Sequence, residues 1–382
     1  MANPQRIVHP SSDFYWPRTV DESFELMLQA IQDSRSSICL EMYIYSASPI
    51  GEQFRDALVQ ACERGVQVRV LIDAWGSMTL PERFWDPLRE AGGQMRWFNP
   101  IKLQRWGIRN HRKLLVCDQH VAFVGGFNIS TEYQGDGLTR GWHDLGLQIS
   151  GPLAGHLAAS FETLYSLADF QHKRFIRFRK AVAHQTISTR DGQILLIGPG
   201  HNRHFVKQTL LADLDRAKSI QIISAYFLPT RVVRRALMRA ARRSAKVEII
   251  LAGKSDVPLS QYASRHFYQT FLRAGMEIFE YQPQILHSKL FILDDVVYVG
   301  SANLDRRSFY INYELMLRLP NPSLALEART TFQTALAHCH RIHFSTWKRS
   351  RTFWSKLKEK WAFFLLAKVD PFIARRQLRH LR

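Results

Sequence analysis

The feature that most restricts how this 382-residue chain can fold is that it repeats itself. The run SICLEMYIYS from Ser37 is answered by SIQIISAYFL from Ser219, and each is an apolar run with the look of a buried strand. Each leads into a helical stretch, QFRDALVQACERG from Gln53 and VVRRALMRAARRS from Val232. Each helix leads into a second apolar strand, VQVRVLID from Val66 and AKVEIILAG from Ala245. Another helical stretch follows, then an Ala-Gly turn (Ala91-Gly92, Ala274-Gly275) and a third strand that ends at Pro100 or Pro283. Strand–helix alternation predicts α/β units on a largely parallel sheet, and here the unit occurs twice.

After each of those prolines comes a segment rich in reactive side chains. The first reads HRKLLVCDQHVAFVGGFN, from His111 to Asn128, and the second HSKLFILDDVVYVGSAN, from His287 to Asn303. Both contain His-x-Lys-x4-Asp, then a pair of small residues and an Asn. One such motif is a weak signal; two at matching places of a repeat, with the same tail, are a strong one. The flanks read as strand, where residues i and i+2 point the same way. His111 therefore shares a face with Lys113, and His287 with Lys289.

This arrangement resembles the phospholipase D superfamily, whose pattern is H-x-K-x4-D-x6-G-[SG]-x-N in two copies. The first copy fits through Asp118, Gly125, Gly126 and Asn128. The second has only five residues between Asp294 and Gly300, which leaves Asp295 as a rival for the motif's aspartate. The segments LIDAWGS from Leu71, GPL from Gly151 and GSANLDRRS from Gly300 are similar to those of bacterial cardiolipin synthases that lack transmembrane helices. The resemblance implies a duplicated α/β/α sandwich with pseudo-two-fold symmetry and its active site between the halves. The expected boundaries are residues 1–190, 191–322 and a basic amphipathic tail over 323–382. The family also carries an acidic residue beyond the Asn; Glu314 in INYEL and Asp144 in WHDLG match it.

Two histidines and two lysines meeting at one site suit attack on a phosphodiester. One imidazole must be neutral to attack phosphorus and the other protonated to release the leaving oxygen, and histidine reaches both states near neutrality. Lys113, Lys289, Asn128 and Asn303 are expected to donate to the non-bridging oxygens. Glu314 and Asp144 are expected each to fix a histidine's tautomer. The resemblance implies that His111 is the nucleophile and His287 the general acid, an order that the symmetry of the motifs does not itself set. Asp118 and Asp294 end strands before turns and read as structural. No metal or other cofactor is expected, since the lysines supply positive charge.

The formal charge of +19 points to a polyanionic partner. Twelve cations stand against two acids after His340, interleaved with Phe353, Trp354, Trp361, Phe363 and Phe364, which reads as helix lying on an anionic membrane and broken near Pro371. Arg105, Trp106, Arg109 and Arg112, before and inside the first motif, read as substrate or membrane contacts. An anionic phospholipid and a membrane surface are thus the expected partners. Nucleic acid stays open, because polybasic segments also bind phosphate backbones and the superfamily includes nucleases. So do a hydrolytic phospholipase and a silent membrane-binding protein, and the oligomeric state is not set. Cys39, Cys62, Cys117 and Cys339 form no C-x-x-C pair and read as reduced thiols. With neither a signal peptide nor a run of about 20 apolar residues, the expectation is a peripheral protein on the cytoplasmic face of the membrane.

Overall fold

A computed structural model describes residues 11–100, 107–168, 185–199 and 205–369. Among these, the first repeat builds a seven-stranded sheet from β1 (Asp13–Tyr15), β2 (Ser37–Met42), β3 (Gln67–Asp73), β4 (Gln94–Phe98), β5 (Leu114–Cys117), β6 (Val121–Gly125) and β7 (Gly146–Ser150). The second repeat builds a nine-stranded sheet. It begins with β8 (Gln185–Ser188), β9 (Gln193–Ile197), β10 (Ser219–Ser224), β11 (Lys246–Ala252) and β12 (Glu277–Tyr281), and continues with β13 (Lys289–Leu293), β14 (Val296–Gly300), β15 (Glu314–Pro320) and β16 (Cys339–Arg341). The orders are β1-β7-β6-β5-β2-β3-β4 and β16-β12-β11-β10-β13-β14-β15-β9-β8. From β7 and from β15, six strands run in the same sequence, so the repeat is a repeat of fold.

Among the described strands only β2–β3–β4 and β10–β11–β12 pair in parallel. The strand after each motif lies antiparallel beside the first strand of its repeat, and two more follow as a meander. The largely parallel sheet expected from the alternation is thus confined to half of each unit. Among the described residues no crossover helix lies between β12 and β13 or directly before β5, and a strand without such a crossover is free to return antiparallel.

The β5–β6 and β13–β14 hairpins explain the one-residue departure in the second motif. Cys117 pairs with Val121 across three loop residues, whereas Leu293 pairs with Val296 across two. The missing residue comes from the turn, so the glycines beyond it keep their register. Asp118 and Asp294 stand at the same place, both with positive φ (52° and 49°). Asp118 accepts from the backbone N–H groups of Arg35, Ser36 and Ser37, and Asp294 from those of Lys218 and Ser219. Each clamps the start of its repeat's first strand. Asp295 instead pairs with Arg329.

One apolar core lies between the two sheets. Two helices, Pro152–Leu167 and Pro322–Leu336, feed Leu157, Phe161, Ala328 and Phe332 into it. Asn321 caps the second helix at Leu324 N–H and Pro322 opens it, the expected chemistry of a helix start. The expected tail, from 323, therefore begins with a helix of the core, and β16 extends the second sheet before the chain leaves it. Likewise the 190/191 boundary falls inside the β8–β9 hairpin of the second sheet. The outer faces are covered by helices such as Pro49–Glu63 and Arg231–Arg242, whose buried stripes form separate cores. Residues from 370 onward, including Pro371, Arg375, Arg376, Arg379 and Arg382, lie outside the described residues. Among the described residues no helix is long and apolar enough to cross a membrane.

Candidate active site

The two repeats are joined at their motifs by short parallel bridges, Asn110 with Tyr313 and Leu286 with His143. His111 N–H donates to Tyr313 C=O at 2.9 Å and Tyr313 N–H to Arg109 C=O at 2.8 Å. His287 N–H donates to His143 C=O at 2.8 Å and His143 N–H to Ile285 C=O at 2.9 Å. Extended backbone then turns the side chain following each bridge into one shared region. The result is a crossed pairing. His111 Nδ1 is 3.0 Å from Glu314 Oε2, and His287 Nδ1 is 2.6 Å from Asp144 Oδ2. Each histidine is held by the carboxylate of the other repeat.

The small residues after each hairpin set these carboxylates. A Cβ at Gly126 would lie 2.3 Å from Asp144 Oδ1, so any side chain there would push the Asp144 carboxylate out of place. In the second repeat the longer Glu314 takes the place of Asp144 and Ser301 that of Gly126, with Ser301 Oγ donating to Glu314 Oε2 at 2.6 Å. Ser308 Oγ and Asn312 Nδ2 reach the other oxygen. The Gly-Gly and Gly-Ser versions of the motif thus follow from an Asp in one place and a Glu in the other. Gly300, at φ 152°, would put a Cβ 2.2 Å from Leu315 O, which fixes the first position of the pair.

The lysines are buried beside their histidines. Lys113 Nζ donates to His111 C=O at 2.8 Å, and Lys289 Nζ makes the equivalent bond to His287 C=O. Burial pushes Lys113 down to about 7, with Lys289 adding to the fall and Glu314 opposing it. Lys289 is lowered by burial against the pull of Asp144 and Glu314. Burial lowers His111, partly offset by Glu314. It lowers His287 far more, helped by Lys289. Asp144 is pushed up to about 6 by burial. For Glu314 burial is outweighed by the charge and hydrogen bond of His111, and its carboxyl is lowered. Buried basic groups that depress one another are the electrostatic setting in which a bound anion would restore charge. With Nδ1 donating to Glu314, His111 presents the lone pair of Nε2, whereas Lys289 Nζ lies 2.7 Å from His287 Nδ1 and 3.2 Å from its Nε2.

Asn128 Oδ1 accepts from Ile44 N–H at 2.9 Å and its amide donates to Tyr133 Oη at 2.7 Å. Asn303 Oδ1 accepts from Tyr226 N–H at 3.3 Å. Both therefore staple the chain beyond the first strand of each repeat to the motif, and Asn128 keeps a second N–H for any other acceptor.

The four residues read as substrate or membrane contacts fare differently. Arg105 and Trp106 lie outside the described residues. Arg112 does not face lipid: it is buried, its guanidinium 3.1 Å from Glu41 and 2.8 Å from Ser160 Oγ. It sits between His111 and Lys113, and a period of two sends it to the opposite face of the chain, into the core. Arg109 is also buried, with its guanidinium 4.3 Å over the Trp75 ring.

Four rings escaped the motif reading. Tyr43 lies 4.7 Å from the His111 ring, while Tyr133, Trp142 and Tyr226 lie 5.3, 5.5 and 6.1 Å from that of His287. Tyr43 and Tyr226 follow the ends of β2 and β10, where open α/β sheets place their sites. That position was the available signal.

A family profile described as "Cardiolipin synthase, PLD-like domain" matches residues 27–165 and 210–336, one span in each repeat. Over 342 residues the chain is 33% identical to cardiolipin synthase 1 of Bacillus cereus, covering 86% of this chain and 67% of that one. It is 31% identical over 345 residues to the major cardiolipin synthase of Bacillus subtilis, with 88% and 71% covered. In fold it is similar to the crystal structure of phosphatidylserine synthase from Haemophilus influenzae, with TM-score 0.75, 15% identity and 94% of each chain covered.

Proposed function

This chain belongs to the phospholipase D-like cardiolipin synthase family, and from that premise we propose that it is a phosphatidyltransferase that joins two phosphatidylglycerol-type lipids through a phosphohistidine. In the first step Nε2 of His111 attacks the donor phosphorus. The P–O bond to the headgroup glycerol breaks, and His287 gives its proton to the departing oxygen. In the second, His287 takes the proton of an acceptor hydroxyl, that oxygen attacks phosphorus, and the P–N bond breaks. Glycerol and a doubly phosphatidylated glycerol result, with no net change of protons.

The observation that carries this reading is the crossed carboxylate–histidine pair, 3.0 and 2.6 Å long, with two buried lysines between the repeats. A phosphodiester anion would restore the charge that burial takes from Lys113 and Lys289 and would favour the protonated form of His287. The lysines would then stabilise charge developing on the equatorial oxygens. The aromatic rings around both histidines would limit water at the phosphoenzyme, which a transferase needs in order to prefer an alcohol. Lipid substrates and four unpaired cysteines support a peripheral place on the cytoplasmic face of a membrane.

Incubating the purified chain with phosphatidylglycerol vesicles and, separately, with single-stranded DNA tests the reading. Cardiolipin and free glycerol are expected. Phosphatidic acid as the main product would make the enzyme a hydrolase, and cut DNA beside untouched lipid would make it a nuclease. His111→Ala should form no phosphoenzyme, and His287→Ala should trap one; an adduct only in the His111 variant reverses the two roles.

A further inference from the structure

The helix Phe353–Phe364 offers two apolar faces, and the fold uses one of them. On the inner face Ala362 is buried, Phe363 stacks on His266 at 5.1 Å and meets Phe267 edge-on at 5.0 Å, and Glu359 takes the guanidinium of Arg351. This face lies on the helix Pro258–Arg265 of the second repeat. The outer face carries Phe353 (72% exposed), Trp354 (70%), Trp361 (58%) and Phe364 (49%), followed by Leu365 (38%).

At about 100° per residue these side chains, with Leu357, fall in a stripe roughly 120° wide. Lys360 and Lys358 border that stripe on opposite sides, with Lys356 just beyond Lys360, and all three are exposed. Because the other face is already packed, the stripe is held outward by the fold. Two exposed tryptophans between lysines are the composition of a helix that lies in the headgroup region of a bilayer.

The stripe also leads to the candidate active site. Ala367 C=O, just past the helix, accepts from Arg306 Nη1 at 3.1 Å, three residues beyond Asn303. The helix beneath it starts after Val257, and there Val257, Leu259 and Tyr262 are exposed as well. Asp256, the residue before, accepts from Tyr226 Oη at 2.6 Å, and Tyr226 lies against His287.

We propose that the outward face of Phe353–Phe364, together with the exposed apolar residues at 257–262, is the surface that seats on an anionic lipid bilayer and brings the candidate active site to headgroup level. Charge complementarity selects this occupant over a second copy of the chain, which carries the same +19. The inference rests on the lipid-substrate reading above for its purpose, though not for its geometry. Aromatic anchors give affinity for any bilayer, whereas the flanking lysines add affinity only for anionic ones.

The test uses the full chain and sedimentation with vesicles of phosphatidylcholine, alone or mixed with phosphatidylglycerol. The triple variant Trp354→Ser, Trp361→Ser, Phe364→Ser should bind both vesicles at least about tenfold more weakly, a loss of ~1.4 kcal/mol or more. Lys356→Glu with Lys360→Glu should weaken binding to the mixed vesicles only, and added salt should erase that difference. All three apolar positions are solvent-exposed, so the melting temperature should hold, as should turnover of monomeric short-chain phosphatidylglycerol. Unchanged vesicle binding by the triple variant overturns the proposal. So does a wild-type dimer in light scattering that the triple variant converts to monomer while it still binds vesicles. If wild type fails to turn over the short-chain lipid, the catalytic reading falls and the vesicle result still decides the docking face.

Discussion

Glu314 of the second repeat holds His111 of the first, with Oε2 3.0 Å from Nδ1. The reciprocal contact joins Asp144 to His287. Neither repeat can orient its own histidine, so the site exists only when the two sheets are packed together. Glu314→Gln keeps the volume and removes the charge that favours the Nδ1–H tautomer. By analogy with the loss of the orienting carboxylate in a triad, kcat should fall about 10²–10⁴-fold with KM little changed. Asp144→Asn should act in the same way through His287. Rapid-quench measurement of phosphoenzyme formation and breakdown tells which step each variant slows.

The buried lysines make a second prediction. The proposed mechanism needs Asp144 ionised and Lys113 protonated; burial pushes the first up to about 6 and the second down to about 7. For soluble short-chain substrate, kcat/KM should rise through about pH 6 and fall through about pH 7, because this ratio reports the free enzyme. Lys113→Arg should carry the alkaline limb upward.

Stability gives the same lysine another signature. Its folded pKa is depressed, so between about pH 7 and 10.4 the unfolded chain binds more protons and stability should rise with pH. Lys113→Met removes that burden. It should abolish turnover and raise stability at pH 7 by about 1–3 kcal/mol. A Met variant that melts earlier than wild type would show that the ammonium's bond to His111 C=O outweighs its desolvation.

Much of this was legible because the repeat compares the chain with itself. The strands from Ser37 and Ser219, the motif strands and both clamp aspartates occupy matching positions, and the shared face of His111 and Lys113 follows from strand period alone. The exchange of carboxylates was not legible, since it depends on which surfaces of the two repeats meet, and no local pattern encodes that. Arg112 shows a different failure. Its charge suggested lipid, while its place between two residues of the active face required that it point into the core, where Glu41 neutralises it. Alternation was the stronger argument. The stretch from 323 carries the same kind of signal: Leu324, Ala325, Ala328 and Phe332 form an apolar face, which marks core helix before the cationic residues begin.

Asp118 and Asp294 should affect folding and leave catalysis nearly intact. Each carboxylate accepts from backbone N–H groups at the entry to a first strand, and removing it strands those donors. Asp118→Ala and Asp294→Ala should each cost about 1–3 kcal/mol in urea unfolding, with kcat within about twofold of wild type below the transition. A large loss of kcat with stability preserved would place an aspartate in the chemistry instead.

Gly126→Ser separates the two versions of the motif. Serine is the residue that the second repeat carries at this place, so a reading by family pattern alone predicts tolerance. The geometry predicts the reverse. A Cβ at Gly126 lies 2.3 Å from Asp144 Oδ1, closer than non-bonded atoms approach, so the carboxylate must swing away from His287. Turnover should fall at least about tenfold, and the buried polar group left without its partner should cost about 1–3 kcal/mol. Ser301→Gly, the reciprocal change, meets no clash and removes one of the donors to Glu314 Oε2. It should cost only about 1 kcal/mol and a smaller share of activity. If both variants lose equally, the small-residue pair answers to something other than the carboxylate beside it. If Gly126→Ser recovers when Asp144→Glu is added, the pairing of serine with the longer acid is the rule that the two repeats have each solved in their own way.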